Sequence, residues 1–255
     1  MSDMNRIPEG VLLEILSAVP APELIRCCRP VCSLWRDIID SPALWKLKCQ
    51  YDGFTSNRLK RNPTDWRMFY FLHRQKRNLL KNPSAAEDFK YWDKTKDGGD
   101  EWKVEVLPGE HGQPFPDAVV KEYFVTSYQL CLKSQTINLK EEGYPDEFMD
   151  VLQPDIVIKD WYAARHDCGC KYQILVRLLS QNKTVMKEFQ PKPVIIEQWS
   201  AAQWSQIEYT FRDYGPGVRY IYFEHGGRDI QFWAGWYGIR VTNSSVTIDP
   251  GDLSK

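Results

Sequence analysis

The chain has 255 residues, 43% hydrophobic and 26% charged, an ordinary balance for a globular protein of one large or two modest domains. A formal net charge of −1 gives no general attraction for nucleic acid or an anionic membrane, so neither is expected as a partner. No apolar run approaches a membrane span, so no transmembrane segment is expected, and the opening MSDMNRIPEG lacks the apolar stretch of a secretory signal, which points to the cytoplasm or the nucleus, with the cytoplasm as the expectation.

Residues 7–49 read as short helices separated by prolines. Pro8 precedes a run with Leu12, Ile15, Leu16 and Val19 on one stripe, and Pro20 stops it. Pro22 reopens a helix through Leu24, Ile25 and Cys28. After Pro30, Val31, Leu34, Trp35 and Ile38 recur at helical spacing. Ser41-Pro42 then starts a short turn carrying Leu44 and Trp45, with Ser as cap and Pro in the first helical position. So small a unit with so many large apolar residues requires a partner surface. The seven cysteines, four of them in this part of the chain, have the setting of reduced core residues.

The residues Ile7-Pro8, Leu12-Leu13-x-Ile15-Leu16, Val19-Pro20, Leu24, Val31-Cys32-x-x-Trp35 and Leu44-Trp45 resemble the F-box motif at its usual spacing. The resemblance implies docking onto the adaptor Skp1, and through it onto a cullin, with Pro8, Leu12, Ile15, Leu16, Leu24, Val31 and Trp35 at the adaptor interface.

Residues 50–63 are polar and basic (Asn57, Arg58, Lys60, Arg61) and read as a solvated linker, since four such charges without interleaved aromatics make a poor nucleic-acid site. Thr64 would cap a helix carrying Trp66, Phe69, Tyr70, His73 and Arg77, which Asn82-Pro83 would end; it reads as a rigid spacer. This gives a division into a helical region 1–49, a linker 50–83 with one helix, and a β domain 84–255.

From residue 84 the periodicity becomes that of strands, at 89–92, 102–107, 123–128, 134–139, 156–162, 172–179, 185–189, 194–198, 206–211, 218–224 and 238–248. One helix is expected at 145–152. Many short strands between Gly, Pro, Asn and Asp turns argue for an antiparallel two-sheet sandwich with binding loops at one end. The stretch HGGRDIQFWAGWYGIRV (225–241) reads as a loop presenting aromatic faces, the surface a sugar ring needs, or alternatively as filling for the sandwich core. Phe232 and Trp233 are adjacent, so from an extended chain one of them must face outward. His225, before Gly226-Gly227, reads as a turn residue with a satisfied ring nitrogen. His166 with Cys168 and Cys170 lacks a second ligand pair, and neither a metal nor a cofactor is expected. Asp167 and Asp229 are available carboxylates, but nothing sets them at the separation a glycosidase needs.

Gly98-Gly99-Asp100-x-Trp102, Lys121-x-Tyr123-Phe124-Val125-Thr126-Ser127-Tyr128, Glu142-Gly143-Tyr144, Lys159-Asp160-Trp161-Tyr162, Gly215-Pro216-Gly217 and Gly235-Trp236-Tyr237-Gly238 resemble the F-box-associated domain of sugar-recognising F-box proteins. With the F-box run, the resemblance implies an α plus β multidomain chain: a small all-helical F-box, a helical linker and an antiparallel β-sandwich of jelly-roll, galactose-binding-like type. It implies a non-catalytic substrate receptor of an SCF ubiquitin ligase that binds misfolded N-linked high-mannose glycoproteins through the inner chitobiose and directs them to endoplasmic-reticulum-associated degradation. By the same resemblance Tyr128, Asp167, Phe232 and Trp233 would contact the glycan. Trp233 would stack on a sugar face, Phe232 and Tyr128 would wall a pocket for an N-acetyl methyl, and Asp167 would accept hydrogen bonds. The chain departs from one glycan-binding relative at Phe232, which lacks that protein's tyrosine hydroxyl, and at Ala234, which lacks its lysine amine. The same loops would also serve a receptor that reads a protein degron without sugar. A lectin-like binder with no ligase role is disfavoured by residues 7–49.

Overall fold

The computed structural model describes residues 7–53, 63 and 65–249. The basic residues of the expected linker, 57–61, lie outside them. The chain forms two compact units, one drawn from residues up to Lys76 with Asp249, the other spanning Arg77–Ile248.

The first unit is helical: α1 (Glu9–Ala18), α2 (Ala21–Glu23, continued by a π-helical turn over Leu24–Cys28), α3 (Ser33–Asp40), α4 (Pro42–Tyr51) and α5 (Trp66–Arg74). Pro8 and Pro20 stand at the N-caps of α1 and α2, where the missing amide hydrogen costs nothing. Ser41 caps α4 by accepting from the Leu44 amide at 3.5 Å, and α4 runs ten residues where a short turn was expected. Lys48 closes the other end of α1, its ammonium donating to the carbonyls of Ser17 (2.9 Å) and Val19 (2.7 Å).

Leu12, Leu16, Leu24, Ile38, Ile39, Leu44, Trp45 and Cys49 form the core of this unit. Leu12, Leu16 and Leu24, expected at the adaptor interface, are therefore not surface residues: their side chains face the other helices. Pro8, Ile15 (50% exposed) and Val31 (58% exposed) do face solvent, and Trp35 is half-buried. Cys27 is exposed, against the expectation of a core thiol, and every described cysteine is free. Helix α5 packs Tyr70 and Phe71 on Trp45, with ring centroids 5.4 and 5.3 Å apart, so it belongs to the helical unit instead of standing as a spacer. Its cap is Asp65, whose carboxylate accepts from the Met68 amide at 2.9 Å; Thr64 lies outside the described residues. The helix ends at Arg74, short of Asn82-Pro83.

The second unit is a two-sheet sandwich. One sheet has the order β1-β4-β10-β6-β7, with β8 also pairing with β6; the other has the order β2-β3-β11-β5-β9. The strands are β1 (Asp93–Asp97), β2 (Lys103–Val106), β3 (Glu122–Val125), β4 (Cys131–Asn138), β5 (Asp155–Ala163), β6 (Cys170–Leu179), β7 (Val185–Phe189), β8 (Val194–Ile196), β9 (Ser205–Phe211), β10 (Tyr220–Asp229) and β11 (Arg240–Asp249). Pairings of β4 with β1 and β10, and of β6 with β10, β7 and β8, are antiparallel. Helix α6 (Asp146–Leu152) occupies the expected place.

Two departures have local causes. Residues 89–92 are turns, not a strand: Phe89 and Trp92 sit three apart so that both rings reach the core, and the Trp92 indole donates to the Asn82 carbonyl at 2.9 Å. Gly226-Gly227 is not a turn either, but a paired part of β10 near its C-terminal end. A Cβ at Gly226 would fall 2.1 Å from the Cys131 carbonyl oxygen, and one at Gly227 would fall 1.8 Å from that of Lys171, so only glycine lets both neighbouring strands close in.

His225 is thus a core strand residue. Its Nδ1 lies 2.5 Å from an Asp160 carboxylate oxygen, which also accepts from the Tyr172 hydroxyl (2.6 Å); the other Asp160 oxygen accepts from Ser244 (2.7 Å). All four side chains are buried, as is Lys133, whose ammonium lies 3.1 Å from the centre of the Trp92 ring and 3.8 Å from that of Phe124. Among the described residues this ammonium has no hydrogen-bond partner, and burial holds its pKa well below the usual lysine range.

Candidate functional site

The register brings four connections together. Asp97, Cys131, Cys170 and the Gly227–Asp229 end of β10 are aligned across one sheet, while Lys103, Val125 and Arg240 are aligned across the other. The segments 98–102, 126–130, 164–169 and 230–239 therefore all cross between the sheets at the same end of the sandwich.

Segment 230–239 is the one that exposes large aromatic rings. Asp229, the last residue of β10, is fully buried, and its two carboxylate oxygens accept from the amides of Phe232 (2.6 Å) and Trp233 (3.1 Å). Phe232 adopts a left-handed conformation (φ 59°), which breaks strand alternation. Both rings consequently face outward, Phe232 at 62% and Trp233 at 39% exposed, where an extended chain would present one. Burial pushes the Asp229 carboxyl up, opposed by these two amides.

A second carboxylate fixes the far side of the loop. Asp100 accepts from the Gly235 amide at 2.6 Å, and the Ser127 hydroxyl donates to the Gly235 carbonyl at 2.8 Å while accepting from the Asp100 amide at 2.9 Å. The Gly98-Gly99-Asp100 motif thereby acquires a purpose. A Cβ at Gly99 (φ 65°) would meet the Ser127 hydroxyl at 2.9 Å and the Tyr128 ring at 3.0 Å. Trp236 and Tyr237 precede β11, half-buried in the loop, and Lys103 stands 4.3 Å over the Trp236 ring.

Of the four residues expected to contact a glycan, Tyr128 and Phe232 stand beside each other, with ring centroids 6.5 Å apart. Trp233 packs edge-on against Tyr237 at 5.6 Å. Asp167 joins them indirectly: Arg165 grips its carboxylate at 2.9 and 3.1 Å and lies 4.6 Å over the other side of the cluster, at the Tyr237 ring. That guanidinium holds the Asp167 carboxyl below the usual range. Gln231 ties segment 164–169 to the aromatic loop, accepting from the Gly169 amide (2.8 Å) and the Cys168 thiol (3.0 Å). Cys168 thus has a structural partner; its thiol is pushed up to about 12 by burial, and no group of potential metal ligands occurs among the described residues.

Sequence reasoning missed Arg165 and Gln231, and noted Asp229 and Asp100 without their role in anchoring the loop. The signal for Asp229 was available: an aspartate three residues ahead of a left-handed turn is a standard acceptor for the turn's amides. The arrangement combines fixed aromatic faces, neutral amides and a carboxylate with lone pairs to spare, which suits a neutral hydroxylated ligand.

Two family descriptions match the chain: an F-box-like region over residues 4–51 and an F-box associated region over residues 70–248. The chain is 57% identical over 245 residues to F-box only protein 6 of Bos taurus, covering 96% of this chain and 92% of that protein. It is 54% identical over 250 residues to F-box only protein 44 of Mus musculus, covering 98% of each. To F-box only protein 2 of Bos taurus it is 46% identical, covering 97% of this chain and 84% of that one. With both regions matched in order over nearly its whole length, the chain belongs to the F-box proteins that carry an F-box associated region.

Proposed function

We propose that this F-box protein is a substrate receptor of a Skp1-cullin ubiquitin ligase that captures N-linked high-mannose glycoproteins by their inner chitobiose and directs them to ubiquitination and endoplasmic-reticulum-associated degradation. The observation carrying the reading is the pair of outward rings, Phe232 and Trp233, on a loop whose amides are pinned by the buried Asp229. The loop backbone that carries these exposed rings is ordered before any ligand arrives, which lowers the cost of binding. Trp233 stacks on a pyranose face, Tyr128 and Phe232 flank an acetamido methyl, and Asp167, with Arg165 occupying one side of its carboxylate, accepts from a sugar hydroxyl or amide on the other. Each contact is worth about 0.5–1.5 kcal/mol, so four of them bring a single glycan at best to tens of micromolar.

The adaptor docks on the exposed part of the helical unit, Pro8, Ile15 and Val31, beside half-buried Trp35. The chain works in the cytoplasm and contributes recognition alone; ubiquitin transfer belongs to its partners. The test is co-precipitation with Trp233→Ala. Glycoprotein capture is lost and adaptor binding retained; undiminished capture removes this loop from the site.

A further inference from the structure

Beside the aromatic loop, segment 164–169 has a second neighbour. Trp199 is 67% exposed and adopts a left-handed conformation (φ 66°), uncommon for a bulky residue. Its amide donates to the His166 carbonyl at 2.8 Å, its ring packs edge-on against the His166 ring at 5.7 Å, and the His166 Nδ1 is engaged by the Ser200 carbonyl. The exposed indole is therefore held in place, as Phe232 and Trp233 are.

Directly after it in the chain, residues 200–203 and Ser205 wall a cavity of about 210 Å3 with Ala164, Val194 and Ile196, and Tyr162 completes the lining. No charged side chain lines it, which excludes an ionic ligand. Alanine, valine and isoleucine side chains form apolar walls, while Ser200, Gln203, Ser205 and Tyr162 are neutral polar groups. An apolar wall with neutral donors and acceptors, next to an exposed aromatic, matches the apolar face and hydroxylated edge of a pyranose. The volume lies below the roughly 300–1,000 Å3 of drug-sized sites and suits one ring. Ala164, in the cavity lining, is followed by Arg165, which contacts Asp167 and the Tyr237 ring, and Tyr237 packs on Trp233, so segment 164–167 connects the cavity to the aromatic loop.

We infer that Trp199 and this cavity form a second saccharide subsite, taking a neutral hexose of the chain beyond the chitobiose. The inference rests on the chitobiose reading of the aromatic loop and extends it. The test is calorimetric titration of the full chain with free chitobiose and with the mannose-extended pentasaccharide, for wild type, Trp199→Ala and Ala201→Phe. Ala201 is exposed, so the larger ring obstructs the cavity without entering the core. The pentasaccharide binds wild type about tenfold more tightly than chitobiose, a difference of about 1.4 kcal/mol, and both variants lose that advantage while chitobiose binding is unchanged. A wild-type pentasaccharide no tighter than chitobiose, or variants that weaken both ligands alike, overturns the second subsite alone. Failure of wild type to bind chitobiose at all overturns the underlying reading and the subsite with it. A chitobiose-bearing glycopeptide that gains affinity over free chitobiose in a Trp199-dependent way assigns the cavity to polypeptide and overturns the saccharide assignment.

Discussion

Asp229→Asn separates the presentation of the aromatic loop from the stability of the sandwich. The carboxylate is fully buried and accepts from two consecutive loop amides, at 2.6 and 3.1 Å. Asparagine keeps one acceptor oxygen and turns an NH2 group toward the other amide, so one charge-assisted bond is lost and the other becomes neutral. Bonds to a charged group are worth about 1.5–3 kcal/mol each, roughly twice a neutral one, so exchanging two of them for one neutral bond costs the ordered loop about 2–4.5 kcal/mol. Where glycan binding requires that order, affinity falls about 30- to 2,000-fold. Stability responds differently. Burial raises the Asp229 pKa in the folded chain, so its contribution to stability is present below the ordinary aspartate pKa and is lost as pH rises through the folded value. At neutral pH removal of the charge relieves that cost and offsets the lost bonds. The assay pairs a thermal melt with a chitobiose titration at pH 7.5. The expected result is a weakened titration and a melting temperature that does not fall; unchanged affinity refutes the claim that Asp229 sets the rings for binding.

The buried ammonium of Lys133 is predicted to oppose folding at neutral pH. Because its folded pKa is depressed, wild-type stability should climb between neutral pH and about 10.4, whereas Lys133→Met should be more stable at pH 7 by about 1–4 kcal/mol, at about 2–4 °C per kcal/mol, and should show no such climb in melts across that range. In the helical unit, Ile15→Asp should abolish adaptor capture without lowering the melting temperature, while Leu12→Ala should destabilise the unit by about 2–5 kcal/mol, the usual cost of emptying a core leucine site. Ala234 is exposed on the aromatic loop, so Ala234→Lys should add one hydrogen bond to a bound glycan and tighten its titration about 2- to 10-fold.

Much of this architecture was legible in the sequence because it is written in local periodicity. Prolines at 8, 22 and 42 mark the starts of α1, α2 and α4, and strand alternation located all of the sandwich strands except β1. Burial was harder to read. A stripe of leucines looks the same whether it faces a partner protein or neighbouring helices, and the F-box resemblance that places Leu12, Leu16 and Leu24 at the adaptor does not tell the two apart. Gly226-Gly227 resembled a turn because glycine serves both for tight turns and for close strand approach, and the deciding contacts, Cys131 and Lys171, lie far away in the sequence. The exposed aromatics could be found from their clustering. Their anchors could not be recognised in full, since Asp100 and Gly235 are brought together only by the pairing of the sheets.

The central claim is tested most directly by titrating the full chain with free chitobiose while following the tryptophan indole resonances. The account predicts saturable micromolar binding that shifts the Trp233 indole and vanishes in Trp233→Ala. Absence of binding at millimolar chitobiose would contradict it, and would leave the same loops as a surface for a protein degron.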